Sequence, residues 1–262
     1  MKRHCWVLIL LLISLPALAP RTLAYREQVV EAWQVTDAIV IDGKLEDWNL
    51  SSPIVLDRAE QVFRDANQWF GETDLSARIY VMWDDANLYI AAEINDDTPF
   101  MYREGFPPDM ADSIVLYFGT DSASDPNRAS YVSSDFRVVL ILDDYYFNTA
   151  IDREMVEDKA GITTIGDYGD EQALQGYEAA INAVGKDMYV FEAKIPWPNF
   201  ASEEIPLIRI SDGLEIGFNV EMNDLDFPCP GVATPGISWT GSGQSGTNPS
   251  HWGKLIFKTG GK

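Results

Sequence analysis

Apolar and polar residues alternate over short stretches of this chain, and polar turns separate the stretches. The clearest case is Ala77 to Trp83 followed by Leu88 to Ile94, two runs rich in β-branched and aromatic residues that flank the polar turn Asp84-Asp-Ala-Asn87. This order predicts an antiparallel hairpin. Further strands are predicted at 39–41, 113–118, 136–142, 145–150, 177–184, 188–195, 215–220 and 255–258.

Helical spacing of apolar residues is nearly absent, and only Asp152 to Lys159 is a candidate for a short helix. The spacing of the strands predicts an all-β fold, an antiparallel β-sandwich of jelly-roll-like type. Long polar loops connect the strands, and such loops on a β scaffold tend to carry binding groups. The longest connections are at 122–134, 152–176 and 223–236.

The N-terminus has the pattern of a secretory signal peptide. Basic residues precede the apolar run Trp6 to Leu15, and small residues follow it up to Ala24. The run is too short to cross a bilayer, which needs about 20 residues. We therefore expect removal of residues 1–24, a secreted or periplasmic protein without membrane insertion, and one β-sandwich domain over residues 25–262.

The composition is strongly acidic. Lysine and arginine number 19 against 41 aspartates and glutamates, which gives the 262 residues a formal net charge of −22. Such a charge repels nucleic acid phosphates, so nucleic acid is not expected as a partner.

Residues that commonly carry catalysis are scarce. After residue 24 the chain has one histidine, His251, and one cysteine, Cys229. An internal disulfide and a His/Cys zinc cluster are therefore excluded, and a Ser-His-Asp triad would have to use His251. The sequence favours binding over catalysis.

A tryptophan beside a flexible polar loop is the main candidate for ligand binding. Trp239 lies in Gly236-Ile-Ser-Trp-Thr240, before a Gly/Ser/Asn-rich stretch. Its ring could stack on the C–H face of a sugar, while Arg137 and Asn223 could bond the hydroxyl groups. Truncation of Trp239 to alanine would then cost about 1 to 3 kcal/mol of binding. The alternatives are a packing role for Trp239 and an ion pair for Arg137.

Several phrases in the same order resemble the family 9 carbohydrate-binding modules. The resemblance runs from about Ile39 to Phe257. It implies an antiparallel β-sandwich without catalytic activity, a site for a poly- or oligosaccharide, and association with carbohydrate-active enzymes. The phrases are Ile41-Asp-Gly-Lys-Leu-Glu-Asp-Trp48, Asp74 to Tyr89, Asp112 to Phe118, Phe136-Arg137, Glu192-Ala-Lys-Ile-Pro-Trp197, Gly217 to Asp224, Ile237-Ser-Trp239 and Trp252-Gly-Lys-Leu255.

Two family positions match and two differ. The resemblance places sugar-binding roles on Trp239 and Arg137. A second tryptophan of the family's clamp would fall where this chain has Asp109, and an acidic residue would fall on Val115. Phe106 or Tyr102, in the loop before Asp112, is the candidate for the second aromatic face.

The sequence leaves open whether a metal is bound. Acidic pairs recur in turns, and loop carboxylates are the ligands that calcium prefers, although no EF-hand spacing is present. The resemblance implies that structural calcium is possible, without identifying ligands. The pairs are Asp84-Asp85, Asp96-Asp97 and Asp143-Asp144.

Two other functions remain as alternatives. The first is a periplasmic haem b-binding electron-transfer subunit of similar fold, with axial ligands from Met101, Met110, Met222, a lysine or His251. The second is a glycoside hydrolase, which needs two carboxylates about 5 to 10 Å apart.

Overall fold

The computed structural model describes residues 28–99, 110–121, 123–142, 160–164, 172–227 and 234–260. Strands and loops make up this part of the chain, with short 3₁₀ turns at Ala59–Gln61, Trp197–Phe200 and Pro249–His251. No helix in it is long and apolar enough to cross a bilayer. The strands are β1 (Val29–Gln34), β2 (Ile54–Leu56), β3 (Val62–Arg64), β4 (Leu75–Trp83), β5 (Asn87–Asp96), β6 (Ser113–Gly119), β7 (Asp135–Ile141), β8 (Ala160–Thr164), β9 (Gln172–Ala173), β10 (Glu178–Ala183), β11 (Met188–Pro196), β12 (Glu215–Asn223), β13 (Gly236–Ser238) and β14 (Gly253–Lys258).

The strands pair in the order β10-β11-β5-β4-β1-β14-β12-β6-β7-β8-β9, with β2 on β4 and β13 between β12 and β3. Most pairs are antiparallel, as predicted. The first strand is the exception, because β1 pairs in parallel with both β14 and β4. A wholly antiparallel sheet was therefore the wrong expectation at this one strand, which links the two halves of the sheet.

The two halves enclose one hydrophobic core. Trp83 at the end of β4 meets Phe257 of β14 edge to face, with ring centroids 5.7 Å apart. On the other side of the core, Phe118 of β6 meets Phe200, which follows β11, at 4.8 Å. Alternate side chains of every long strand point into this core, which is the arrangement of a β-sandwich.

The predicted hairpin is confirmed. β4 and β5 pair in register from Leu75↔Asp96 to Trp83↔Leu88, and the Asp84 carboxylate accepts from the backbone N–H groups of Ala86 and Asn87 in the turn. The same carboxylate accepts from the Tyr89 hydroxyl at 2.7 Å. This turn is therefore closed by its own side chains.

Other boundaries differ from the expectation. Residues 39–41 form no strand; Ile39 and Ile41 instead pack irregularly against a second apolar cluster around Trp48. The predicted long connection at 152–176 contains β8 and β9. The predicted strand at 145–150, the short helix at 152–159 and the Asp143-Asp144 pair lie outside the described residues.

One outer face of the sandwich is closed by the chain itself. Residues 35–48 cover the outward side chains of β4, β5 and β11, and we call this the covered face. Its centre is Glu192, which is 0% exposed. One oxygen of Glu192 accepts from the backbone N–H groups of Asp42, Gly43 and Lys44, and the other accepts from the Trp48 indole. The Ile41 to Trp48 phrase thus folds around one buried carboxylate.

Gly43 is required in this arrangement. Its φ of +79° favours glycine, and a Cβ there would lie 2.5 Å from the Asn182 Cβ.

Candidate functional site

The opposite outer face is polar, and we call it the polar face. It consists of the outward side chains of β12, β6 and β7, whose neighbours in the sequence point into the core. The register places Asn219, Tyr117 and Arg137 in one row across the three strands. The remaining positions with the same orientation are Glu215, Gly217, Glu221 and Asn223 on β12, Ser113, Val115 and Gly119 on β6, and Asp135, Val139 and Ile141 on β7.

A loop between β13 and β14 covers part of the polar face. Asn219 is 0% exposed and donates to the hydroxyls of Ser238 and Ser245, at 3.0 and 2.7 Å. The Ser245 carbonyl in turn accepts from the Tyr131 hydroxyl and from the Trp252 indole. Ser245 therefore fastens the Gly/Ser-rich loop to the sheet.

A carboxyl group with unused bonding capacity lies beneath this loop. Glu221 is 5% exposed, and its Oε2 accepts from the Tyr117 hydroxyl at 3.3 Å. Its Oε1 has no hydrogen-bond partner in the described part of the chain. Burial raises the pKa of Glu221 to about 7, although the neighbouring hydroxyls of Ser245 and Tyr117, and then the positive charges of Arg137 and Arg64, oppose the shift.

Aromatic rings surround this carboxyl group on one side. Trp252 packs against Gly217, where a Cβ would approach its ring to 3.1 Å. Its centroid is 6.3 Å from that of Tyr117 and 5.7 Å from that of Tyr131. Trp252 is only 6% exposed and packs with Val115, Tyr117 and Val139 in a small apolar cluster beneath the polar face.

Of the predicted sugar-binding residues, Arg137 keeps a position suited to ligand contact. It is half-buried on the polar face and close enough to Glu221 to lower the pKa of that carboxyl. Asn223 lies on the same face but is only 3% exposed. Its amide oxygen accepts from Arg64 at 2.6 Å and its nitrogen donates to Ser113 at 3.0 Å, so its polar groups are used internally.

Trp239 lies inside the protein. It is 5% exposed, belongs to the main core and meets Phe218 edge to face at 6.3 Å. A Cβ on Gly253 would approach its ring to 2.7 Å. The expectation of an open stacking surface at Trp239 therefore fails in this structure, because Trp239 shares the inward side of this segment with Ile237. Phe106, Tyr102 and Asp109 lie outside the described residues, and Val115 is buried at 1% exposure.

A group of carboxylates occupies one end of the sandwich, where several strand ends and loops meet. We call it the acidic end. The carboxylate oxygens of Asp96, Asp112 and Asp224 lie within 4.8 Å of one another, and so do those of Asp74, Asp224 and Asp226. Asp224 belongs to both groups and is 1% exposed.

Hydrogen-bond donors are unevenly distributed at the acidic end, where Asp74, Asp96 and Asp112 each accept from a backbone N–H group. Neither oxygen of Asp224 has a partner among the residues that the structure describes. Burial, followed by the charges of Asp96 and Asp226, raises the pKa of Asp224 to about 9. Burial also raises the pKa of Asp96 to about 7. Burial and the short distances between these carboxylates therefore disfavour the simultaneous ionisation of the group.

The candidate haem ligands that the structure describes lie in separate parts of the protein. Met222 is 0% exposed in the core. His251 is half-buried in a surface turn, with its Nδ1 2.8 Å from the Ser242 hydroxyl. Met110 directly precedes the β6 region, and Met101 and Cys229 lie outside the described residues.

The sequence contains a signal for the residues that were missed. Asn219 and Glu221 alternate with apolar residues along Phe218 to Met222, and a polar residue at every second position of an apolar strand marks an outward face. Tyr131 and Ser245 carry no such signal, because they come from loops.

Comparisons with known proteins agree with this fold. The sequence model of the family described as "Carbohydrate family 9 binding domain-like" matches residues 41–259. Among curated proteins, the exoglucanase XynX of Acetivibrio thermocellus is 27% identical over 231 residues, which cover 86% of this chain and 17% of that protein. An endo-1,4-beta-xylanase A of Thermoanaerobacterium saccharolyticum is 26% identical over 83% of this chain and 15% of that protein. The chain thus spans less than a fifth of these relatives.

Solved structures share the architecture. A carbohydrate binding module family 9 from Caldicellulosiruptor kristjanssonii, in complex with cellotriose, superimposes with a TM-score of 0.58 at 22% identity, covering 90% of this chain and 96% of that one. A putative carbohydrate-binding protein from Bacteroides uniformis gives a TM-score of 0.57 at 9% identity, over 89% of this chain and 100% of that one. At these low sequence identities, the structural similarity shows a shared fold and nothing more.

Proposed function

We propose a function from one premise: the chain belongs to the carbohydrate family 9 binding domain-like family. The proposed function is non-catalytic binding of a poly- or oligosaccharide. The observation that carries it is the family match over residues 41–259, which spans nearly the whole described sandwich. The neighbour solved with cellotriose supports a glucan as the first ligand to test.

The polar face is the proposed site. Sugars need aromatic or flat surfaces for their C–H groups and planar polar groups for their hydroxyls. Arg137 supplies a fork of donors at a half-buried position, and Tyr131 is half-buried beside it. The covered face offers neither, because residues 35–48 lie over it.

A glycan array of the mature chain, followed by calorimetry on the best neutral oligosaccharide, tests this proposal. We expect binding by the wild type and a loss of about tenfold or more in Arg137→Ala, the effect of removing a well-placed charged donor. The matched control is Arg78→Ala, at an exposed position of β4 in the other half of the sandwich, which should bind as the wild type. Absence of any glycan signal with folded protein would refute the function.

The biological setting is proposed on the same premise. The two curated relatives are named as an exoglucanase and a xylanase, and the match covers only a small part of each. We propose that this chain is one domain, secreted after removal of residues 1–24, and that it acts beside enzymes that degrade polysaccharides. The alternatives of haem binding and glycoside hydrolysis would show as a Soret band and as release of reducing sugar, respectively.

A structural calcium ion is proposed at the acidic end. The observation that favours it is Asp224, whose carboxylate is buried among other carboxylates without a hydrogen-bond donor in the described residues. Hard oxygen ligands from aspartates suit Ca²⁺, which would supply the missing positive charge. The candidate ligands are Asp74, Asp96, Asp112, Asp224 and Asp226.

Thermal unfolding after removal of metal with EDTA tests the ion. Added Ca²⁺ should raise the Tm, because a ligand at 100 times its Kd stabilises the folded state by about 2.7 kcal/mol. Asp224→Asn should lose the response, whereas the exposed turn variant Asp85→Asn should keep it. A Tm that does not change with Ca²⁺, or a full response in Asp224→Asn, would contradict the proposal.

A further inference from the structure

The end of the sandwich opposite the acidic end is crossed by the connection from β11 to β12. In this connection Ile208 and Ile210 pack against the core, whereas Leu207 and Arg209 are exposed. This alternation is that of a strand with one buried side. Residues 204–209 also form one wall of a groove of about 380 Å³. A strand-like stretch of chain therefore runs along an open groove.

The main chain of residues 206–210 is unpaired, and we call it the unpaired segment. None of the N–H groups of residues 207–210 donates a hydrogen bond to another described residue, and none of the carbonyl groups of residues 206–210 accepts one. Five extended residues span about 17 Å at about 3.3 Å each, which is the length of a typical strand. Such a row of free donors and acceptors is the edge to which an extended peptide adds as a further strand.

The opposite wall of the groove is the end of the hairpin formed by β6 and β7. The backbone N–H of Thr120 donates to the Ser134 carbonyl at 2.8 Å, one step beyond the paired strands, and Ser133 lies beside them. Apolar side chains are exposed on both sides, since Leu207 is 48% and Val132 is 39% exposed. The groove therefore combines free main-chain groups with apolar contact surface, which are the two features that a bound strand uses.

The charges around the groove favour a basic occupant. The carboxylates of Asp121 and Glu204 line it, and Glu203 is exposed next to them, against the single cation of Arg209 on the same lining. The whole chain carries a formal net charge of −22. A second copy of this chain would bring the same carboxylates and the same net charge, so like-charge repulsion disfavours it here.

We infer that this groove binds an extended, basic segment of another polypeptide, which adds as a strand to the unpaired segment. Its main chain would bond to residues 206–210, its apolar side chains would contact Leu207, and its lysine or arginine side chains would approach Asp121 and Glu204. The inference goes beyond saccharide binding and does not depend on it.

Nuclear magnetic resonance of the ¹⁵N-labelled chain provides the test, with a capped synthetic peptide of three Lys-Val repeats added to millimolar concentration at low salt. We expect amide shifts that saturate and that are confined to residues 204–210, 120–121 and 133–134. The same peptide N-methylated at its two central residues has lost a donor on each of its edges and should not bind. A peptide of three Glu-Val repeats should not bind either, because the groove and the chain repel it.

A charge reversal beside the groove separates a specific site from general attraction. Glu204→Lys should weaken the Lys-Val peptide by about threefold, the effect of an exposed charge at the rim of an interface. Glu46→Lys makes the same change in net charge at an exposed position of the covered face and should bind the peptide as the wild type.

Four results would overturn the inference. The Lys-Val peptide leaves residues 204–210 unshifted, or its N-methylated copy binds equally well. Residues 204–210 shift when the protein alone is concentrated and sedimentation shows a dimer, so that a second copy is the occupant. A neutral oligosaccharide shifts the same amides, so that the groove belongs to the saccharide site. Failure of saccharide binding itself leaves the peptide result unchanged, because the two ligands are measured separately.

Discussion

The two outer faces of the sandwich each bury one glutamate, and the two glutamates differ in the number of hydrogen bonds that they accept. On the covered face, Glu192 accepts three backbone N–H groups and one indole N–H. On the polar face, Glu221 accepts from one tyrosine, and its other oxygen has no partner among the described residues. Burial raises the pKa of both groups, and hydrogen-bond donors oppose the shift at each: backbone N–H groups and an indole at Glu192, and the hydroxyls of Ser245 and Tyr117 at Glu221.

This difference distinguishes a structural role for Glu192 from the functional role that we propose near Glu221. A buried carboxylate whose lone pairs are filled by its own chain fixes a fold, because buried donors such as the Gly43 N–H and the Trp48 indole would otherwise lose their partner. A buried carboxyl with spare capacity costs stability and is retained where something else uses it. Glu192 therefore fastens residues 42–48, whereas Glu221 lies beneath the proposed saccharide site.

The largest effect on stability is expected from replacement of Glu192, whose carboxylate accepts hydrogen bonds from three backbone N–H groups and one indole. Glu192→Ala leaves three backbone N–H groups and the Trp48 indole without an acceptor, so it should lower the free energy of unfolding by roughly 3 to 5 kcal/mol. Urea denaturation measures the change, with exposed Glu46→Ala as the control. A loss below about 1 kcal/mol would mean that residues 42–48 are held by packing alone.

The second effect concerns Trp239, which the sequence assigned to sugar binding. Because it is buried in the core, Trp239→Phe should lower the free energy of unfolding by about 2 kcal/mol and leave saccharide affinity unchanged. Denaturation and calorimetry on the same sample separate the two quantities. A stable variant with a large loss of affinity would return Trp239 to the site and would break the distinction between core and polar face.

The third prediction concerns Glu221, whose Oε1 has no hydrogen-bond partner in the described residues. Its pKa is about 7 in the folded protein against an ordinary 4.5, so the folded state holds this proton more tightly. Stability therefore falls as the pH rises through that window, and Glu221→Gln should be more stable than the wild type at pH 8 by about 1 to 3 kcal/mol. The gap should close near pH 4, where the wild-type group is protonated in both states.

Denaturation curves at several pH values measure this gap. A variant less stable than the wild type at pH 8 would show that Glu221 is ionised and fully bonded, as Glu192 is.

Much of the fold could be predicted from the sequence because hairpins leave a local signal. Strong alternation and the Asp84 turn identified β4 and β5, whereas β1 joins in parallel across the whole chain, a pairing that no local pattern marks. The candidate site was harder to predict. Ile237, Ser238 and Trp239 alternate apolar, polar and apolar, which places Trp239 inward with Ile237. The Gly/Ser-rich loop after Trp239 and the family resemblance both favoured a sugar-binding role instead, whereas only alternation marked Glu221 and Asn219.

The central claim is that saccharides bind the polar face of β12, β6 and β7. Nuclear magnetic resonance of the deuterated, ¹⁵N-labelled chain during titration with its best neutral oligosaccharide tests this claim most directly. We predict that the amide shifts cluster at Tyr117, Tyr131 and Arg137 and around Trp252, with residues 35–48 unchanged. Shifts confined to residues 35–48 and the strands beneath them would contradict the account.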